Sequence, residues 1–109
     1  MTKITNLAIV GLGQIGIYLY NELKNKKNEI KKKTGQKINI VAISAKNKNK
    51  KRKFKIDKKI FYNDPLKIIK EKKIDVLFEC IGLSDGISKK IVETALKNRI
   101  NVITPNKAL

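Results

Sequence analysis

A chain of 109 residues carrying a formal net charge of +17 is long enough to bury a core and reads as one domain. No run of about 18 apolar residues occurs, so a membrane-spanning helix is excluded, and no charged leader with an apolar core precedes the first strand, so no signal peptide is expected. Cys80 is the only cysteine and lies in an apolar run, which excludes an internal disulfide and fits a reducing, cytoplasmic setting. The charge invites a nucleic-acid partner, but the composition argues against one. Of the 26 basic residues, 24 are lysine and only Arg52 and Arg99 are arginine. Lysine, isoleucine and asparagine share A/T-rich codons, so a biased genome accounts for their abundance. Nucleic-acid surfaces also draw on arginine and stacking aromatics; aromatics are 6% here, and none is interleaved with the basic run in a stacking pattern. Neither nucleic acid nor membrane is expected as a partner, while a pull on anionic small molecules such as phosphorylated cofactors is.

In chain order, residues 4–10 form a short β-branched run that ends at Gly11 and reads as a buried strand. The stretch Leu7-Ala-Ile-Val-Gly-Leu-Gly-Gln-Ile-Gly-Ile17 then places Gly11, Gly13 and Gly16 in the G-x-G-x-x-G spacing of a dinucleotide-binding turn between strand and helix. Gly11 would allow the tight turn, Gly13 the close approach of backbone to a pyrophosphate, and Gly16 the close packing of helix on strand. The free N–H groups at the positive end of that helix would hold the pyrophosphate. Ile15, Leu19 and Leu23 at four-residue spacing, followed by Ile30, predict one helix running to about Lys33 and stopped by Gly35. Residues 38–44 form a second strand.

Residues 45–59 hold nine basic residues and one acid and read as a solvated loop. Ile60, Phe61 and Tyr62 lead into Asn63-Asp-Pro-Leu66, where Asp64 as N-cap and Pro65 at the first helical position open a short helix through about Lys72. Residues 74–81 are nearly all apolar, as a central parallel strand covered on both faces should be. After the loop Gly82-Leu-Ser-Asp-Gly86, the residues Ile87, Ile91, Val92, Ala95 and Leu96 trace one helical stripe; 101–104 form a fourth strand and 105–109 turn toward another helix.

The order β-α-β-α-β-α-β with short connections predicts an α/β fold: a Rossmann-type doubly wound parallel sheet, represented by its first four strands. Residues 1–109 would then be a partial NAD(P)-binding domain, the front of a longer protein whose substrate domain lies downstream. Ligands of such sheets bind beyond the carboxyl ends of the strands, which selects 11–16, 44–46, 82–86 and 104–107. Gly11, Leu12, Gly13, Gln14, Ile15 and Gly16 are the candidate pyrophosphate turn. An NAD site places an acid after the second strand, whereas this chain has Ser44, Ala45 and Lys46 and no acid before Asp57. Lys46 suits a 2′-phosphate, favouring NADP(H) with NAD(H) as the alternative; the competing reading is a solvated lysine in a lysine-rich chain. Glu79 either lines the cofactor cleft or reaches solvent at the sheet's edge. Cys80 faces the other way as a small core residue. Ser84 either caps the following helix or faces the nicotinamide, and Lys107 either points at cofactor and substrate or is a generic lysine at a helix start. No residue is assigned to a metal.

Taken together these residues resemble the homoserine dehydrogenase family. Val10-Gly-Leu-Gly-Gln-Ile-Gly16 is similar to its nucleotide-binding loop, and Val41-Ala-Ile-Ser-Ala-Lys46 to its second strand, where the family often has arginine at the position of Lys46. Asp75-Val-Leu-Phe-Glu-Cys-Ile-Gly82 with Ser84-Asp-Gly86 is similar to its third strand and following loop. Thr104-Pro-Asn-Lys-Ala-Leu109 is similar to its most specific signature, with Pro105 replacing an alanine. The resemblance spans essentially the whole chain. It implies reversible hydride transfer between NAD(P)H and L-aspartate 4-semialdehyde, giving L-homoserine on the way to threonine, methionine and isoleucine, with Lys107 beside the nicotinamide and substrate. It also implies that the catalytic residues and the contacts of a homodimer come later, so that this stretch alone binds dinucleotide weakly and catalyses little. No aspartokinase fusion is expected, since Met1 directly precedes the first strand. Two alternatives remain: another amino-acid or semialdehyde dehydrogenase of the same fold, and a non-catalytic dinucleotide-sensing domain.

Overall fold

The apolar runs become strands of one parallel sheet with helices on both of its faces. The computed structural model describes residues 3–45, 58–81 and 87–104. Strands β1 (Lys3–Val10), β2 (Gln36–Ser44), β3 (Phe61–Tyr62), β4 (Val76–Glu79) and β5 (Asn101–Ile103) lie in the order β3-β2-β1-β4-β5, every pair parallel. The helices are α1 (Gln14–Asn25), α2 (Lys27–Thr34), α3 (Pro65–Glu71) and α4 (Ile87–Lys97), and a 3-10 turn at Lys58–Ile60 leads into β3. From β1 the chain winds outward through β2 to β3, then crosses back to lay β4 on the other side of β1. The reversal between β1 and β4 is the topological switch point at which such folds bind ligands. The Rossmann-type α/β class expected from the sequence is therefore the observed one. The sheet has one strand more than the four expected. Phe61–Tyr62 is too short to show a period-2 pattern and is a strand only because β2 offers it an open edge, Ile43 pairing with Phe61 and Ser44 with Tyr62.

Strand alternation divides the core in two. Ala8, Val10, Ala42 and Leu77 face α3 and α4, where they meet Ile68, Ile69, Ile91, Ala95 and Ile100. Ile9, Ile43 and the half-buried Phe78 face α1, where they meet Tyr20 with Ile17, Leu19 and Leu23. Burial of this apolar surface, at about 25 cal/mol per Å2, is what holds both helical layers to the sheet. The β1–β2 register shifts between Leu7 and Ala8, leaving Val41 as an extra residue in β2 and bringing Val10 opposite Ser44. Val10 also pairs with Glu79 on its other side. The shift thus levels the carboxyl ends of the central strands.

Two helical expectations change. The stripe Ile15–Leu19–Leu23 does not face the sheet as a unit: Ile15 is 56% exposed, while Gly16 and Tyr20 are buried. Gly16 determines this, because its bare Cα must sit against the glycine turn, and each neighbour is rotated about 100° from it around the helix. The single helix to Lys33 is two helices, broken at Lys26 (φ −98°, ψ 9°) with neither glycine nor proline there. Beyond Tyr20 no side chain of α1 or α2 is fully buried, so packing no longer holds the chain to one axis. The expected stop holds: Gly35 is left-handed (φ 72°) and its N–H donates to the Lys31 carbonyl.

Asp64 caps α3 as expected, its carboxylate accepting from the Leu66 N–H at 3.0 Å, with Pro65 in the first turn. At the end of α4, Ile100 N–H donates to the Ala95 carbonyl and Arg99 N–H to that of Leu96, which is a Schellman closure. Arg99 occupies its left-handed position with φ 60°, where a Cβ is crowded. Among the described residues no helix is long and apolar enough to cross a membrane. Replacing Arg99 by glycine is expected to raise stability by about 0.5–1 kcal/mol, read as a higher urea midpoint at unchanged slope.

Candidate dinucleotide-binding site

The turn from β1 into α1 is held by two backbone contacts that exclude side chains. Gly11 is left-handed (φ 97°), and a Cβ on it would lie 2.7 Å from the Cys80 carbonyl carbon and 2.8 Å from the Ile81 nitrogen. A Cβ on Gly16 would lie 1.8 Å from the Gly11 carbonyl oxygen, a distance no relaxation of a side chain could relieve, since both groups are backbone. The Gly11 N–H donates to the Ser44 carbonyl at 2.7 Å and the Cys80 N–H to that of Val10 at 2.7 Å, carrying the sheet ladder one residue past the strand ends.

Gly13 is different. Its backbone (φ −78°, ψ −158°) suits any residue, and a Cβ there would meet nothing within 4 Å. The fold itself therefore does not need glycine at 13, whereas a group approaching from outside would. Gly13 is also the N-cap of α1 with no side-chain cap, and the first intrahelical bond runs from Ile17 N–H to its carbonyl. The N–H groups of Gln14, Ile15 and Gly16 precede that ladder at the positive end of the helix, and no acidic residue stands in the first turn. Gln14 and Ile15 are exposed, but the Leu12 side chain is buried in the core, so only its backbone faces outward. This open, uncapped, acid-free turn fits an anionic pyrophosphate.

Glu79 takes neither of its expected roles. It does not reach solvent, being wholly buried, and both of its oxygens are engaged inside the protein: Oε1 accepts from the Ile81 N–H at 2.8 Å and Oε2 from the Thr104 hydroxyl at 2.8 Å. Only the topology could reveal this, because Thr104 is 25 residues away. Cys80 points to the α1 face as expected, packed beside Phe78 and the α1 side chains. Burial first, and then the negative charge of Glu79, push its thiol from the usual 9.0 up to about 11. A groove of about 240 Å3 between α1 and β2, lined by Tyr20, Ile38 and Ile60 among others, touches no residue of the glycine turn. Lys46, Ser84 and Lys107 lie outside the described residues; the last described residues before their segments, Ala45, Ile81 and Thr104, stand at the carboxyl edge.

Residues 11–109 match the family model for the NAD-binding domain of homoserine dehydrogenase. The chain belongs to this family. It is 31% identical over 107 residues to the homoserine dehydrogenase of Neisseria gonorrhoeae and 29% identical over 107 residues to that of Methylobacillus glycogenes, covering 98% of this chain in both cases and 24% and 26% of those proteins. A crystal structure of S. aureus homoserine dehydrogenase superposes with a TM-score of 0.89 at 30% identity, over 98% of this chain and 27% of that one. The chain thus spans about a quarter of the length of the homoserine dehydrogenases it matches. The family's NAD-binding assignment agrees with the turn, whose spare glycine and bare helix end would hold a nicotinamide dinucleotide.

The three glycines should separate on substitution. Gly16→Ala is expected to destabilise the chain by about 3 kcal/mol or more through the clash with Gly11. Gly13→Ala is expected to cost under about 1 kcal/mol and yet to weaken dinucleotide binding at least about tenfold in titration calorimetry. Cys80 makes a second test. Its folded value lies above the unfolded one, so the neutral thiol favours the fold below about pH 9, and that contribution is lost as pH climbs toward 11. Unfolding should become easier across that window more steeply in the native chain than in Cys80→Ala, and the native thiol should react with a disulfide reagent at neutral pH far more slowly than glutathione does.

Proposed function

We propose that this chain supplies the cofactor-binding part of an oxidoreductase that interconverts L-aspartate 4-semialdehyde and L-homoserine, a step shared by threonine, methionine and isoleucine formation. The observation that carries the proposal is the glycine turn, with a central glycine that the fold does not use, in a chain of the homoserine dehydrogenase family. When bound, NAD(P)H supplies the hydride. The chain's own part is to bind and orient. Backbone N–H groups of 14–16 would neutralise the pyrophosphate without a side chain, so that affinity rests on the dipole and on Gly13's openness.

The finer reading concerns three residues. Lys46 follows β2 within two residues, with no acid before Asp57, and an ammonium there favours a 2′-phosphate over free ribose hydroxyls, hence NADP(H) over NAD(H). Ser84 follows β4 and Lys107 follows β5 in sequence, and beside a nicotinamide their hydroxyl and ammonium would orient a carboxamide and a substrate carbonyl or carboxylate. The catalytic groups and a homodimer interface belong to the rest of the enzyme, which acts in the cytoplasm on small molecules alone.

The test is the full reading frame assayed for aspartate-semialdehyde reduction with NADPH and with NADH. Turnover with NADPH at the lower KM is expected, and no turnover with either cofactor overturns the proposal. Lys46→Asp should raise KM for NADPH about 10- to 100-fold and leave NADH use unchanged or better; native NADH use equal to or better than NADPH use overturns the Lys46 assignment. Lys107→Ala should lower kcat/KM by about 100-fold with little change in dinucleotide affinity.

A further inference from the structure

Dinucleotide binding leaves the buried carboxylate of Glu79 unexplained. On its face of β4 the neighbours Leu77 and Ile81 pack into an apolar core, where leucine would fill the volume without desolvating a carboxyl group. What a carboxylate adds is two acceptors. The Ile81 N–H bond closes the chain on itself just past β4, and the Thr104 hydroxyl bond ties the residue after β5 to the same point. Residues 80 and 81 in turn lie against the bare Cα of Gly11. Glu79 therefore sits at the junction of three chain exits: the glycine turn, the end of β4 and the end of β5.

We propose that Glu79 is a positioning residue: its carboxylate fixes Ile81, at the exit of β4, and Thr104, at the exit of β5, relative to the glycine turn, and so shapes the edge that would meet the nicotinamide half of the cofactor. This rests on the dinucleotide reading above. With both oxygens engaged, Glu79 touches neither cofactor nor substrate and acts through Thr104 and Ile81.

The full-length chain carries the test, with Glu79→Leu, Glu79→Gln and Thr104→Val. Glutamine can keep both bonds, its carbonyl accepting from Ile81 N–H and its amide donating to the Thr104 oxygen. ADP-ribose probes the half of the cofactor held by the glycine turn. Glu79→Leu and Thr104→Val are expected to keep wild-type affinity for ADP-ribose, to lose the extra affinity of the complete dinucleotide over ADP-ribose, and to lower kcat by about 10- to 100-fold. Glu79→Gln is expected to recover most of both. Hydrogen exchange at Thr104 should rise in Glu79→Leu and return toward the native rate in Glu79→Gln. Loss of ADP-ribose affinity in proportion to kcat would mean that Glu79 only holds the fold, and unchanged kcat and affinity ratio in Thr104→Val would mean that it positions nothing; either overturns the inference. If Glu79→Leu does not fold, Thr104→Val alone decides. A wild-type enzyme inactive on aspartate semialdehyde overturns the proposed reaction instead, and the affinity ratio and hydrogen exchange then decide the role of Glu79 without turnover.

Discussion

Everything at the carboxyl edge depends on an approach of backbone to backbone that one methyl group would abolish. A Cβ at Gly16 would sit 1.8 Å from the Gly11 carbonyl oxygen, and one at Gly11 would sit 2.7 Å from Cys80. Helix α1, strand β1 and the exit of β4 are thus drawn together at a single point where no side chain fits. The contact fixes the rotation of α1 about its axis as well as its distance, which is why Tyr20 is buried and Ile15 is not. The open N–H groups of the first turn of α1 follow from the clasp and not from any polar side chain.

The electrostatics follow from the same geometry. A net charge of +17 says little about where an anion goes, since no lysine or arginine falls between residues 4 and 23, the stretch that holds the glycine turn. Exposed pairs such as Lys26–Glu22 and Lys33–Glu29 join neighbouring turns of one helix and contribute little in water. The local field at the turn is set by the helix dipole and by the lack of an acid in the first turn of α1. The carboxylate at the end of β4, Glu79, is buried and turned inward on Ile81 and Thr104. Diffuse positive charge assists the encounter of an anionic ligand with the protein, while the turn decides where that ligand rests.

Much of this was legible beforehand because it is written in local rules. The glycine spacing, the Asp64-Pro65 cap and the Gly35 stop each report a physical demand that acts within a few residues and is met where it was expected, and the apolar run 74–81 holds a strand that is shorter than expected, Val76–Glu79. The misses are all non-local. Phe61–Tyr62 is a strand because β2 has a free edge; Ile15 faces out because Gly16 must face in; α1 ends at Lys26 because little beyond Tyr20 is buried. Arg99 adopts a left-handed conformation that its own side chain disfavours, imposed by the closure of α4 onto Ile100. Glu79 is the sharpest case. Alternation assigned it correctly to the face of Leu77 and Ile81, but its partner Thr104 comes from a strand that the sequence cannot say is adjacent.

The two halves of the edge are built by different means, and that difference has a consequence for how the family can vary. At the β1–α1 turn the proposed ligand-facing groups are main-chain N–H groups, positioned by glycines whose requirement is to have no side chain. Such a turn, as proposed, would need the clasp and an open Gly13 and would recognise what all dinucleotides share, leaving any choice between NADP(H) and NAD(H) to the chain after β2. On the β4–β5 side the chain exits are tied by a side-chain carboxylate and a side-chain hydroxyl, so that geometry there depends on residue identity at Glu79 and Thr104. Binding of the common pyrophosphate and placement of the groups that follow β5 are therefore separable. A change at 79 or 104 can move the second without disturbing the first, because the glycine clasp holds β1 against residues 80 and 81 through backbone alone. That separation would let a backbone-built dinucleotide turn serve beside an edge whose other half is tied by two side chains.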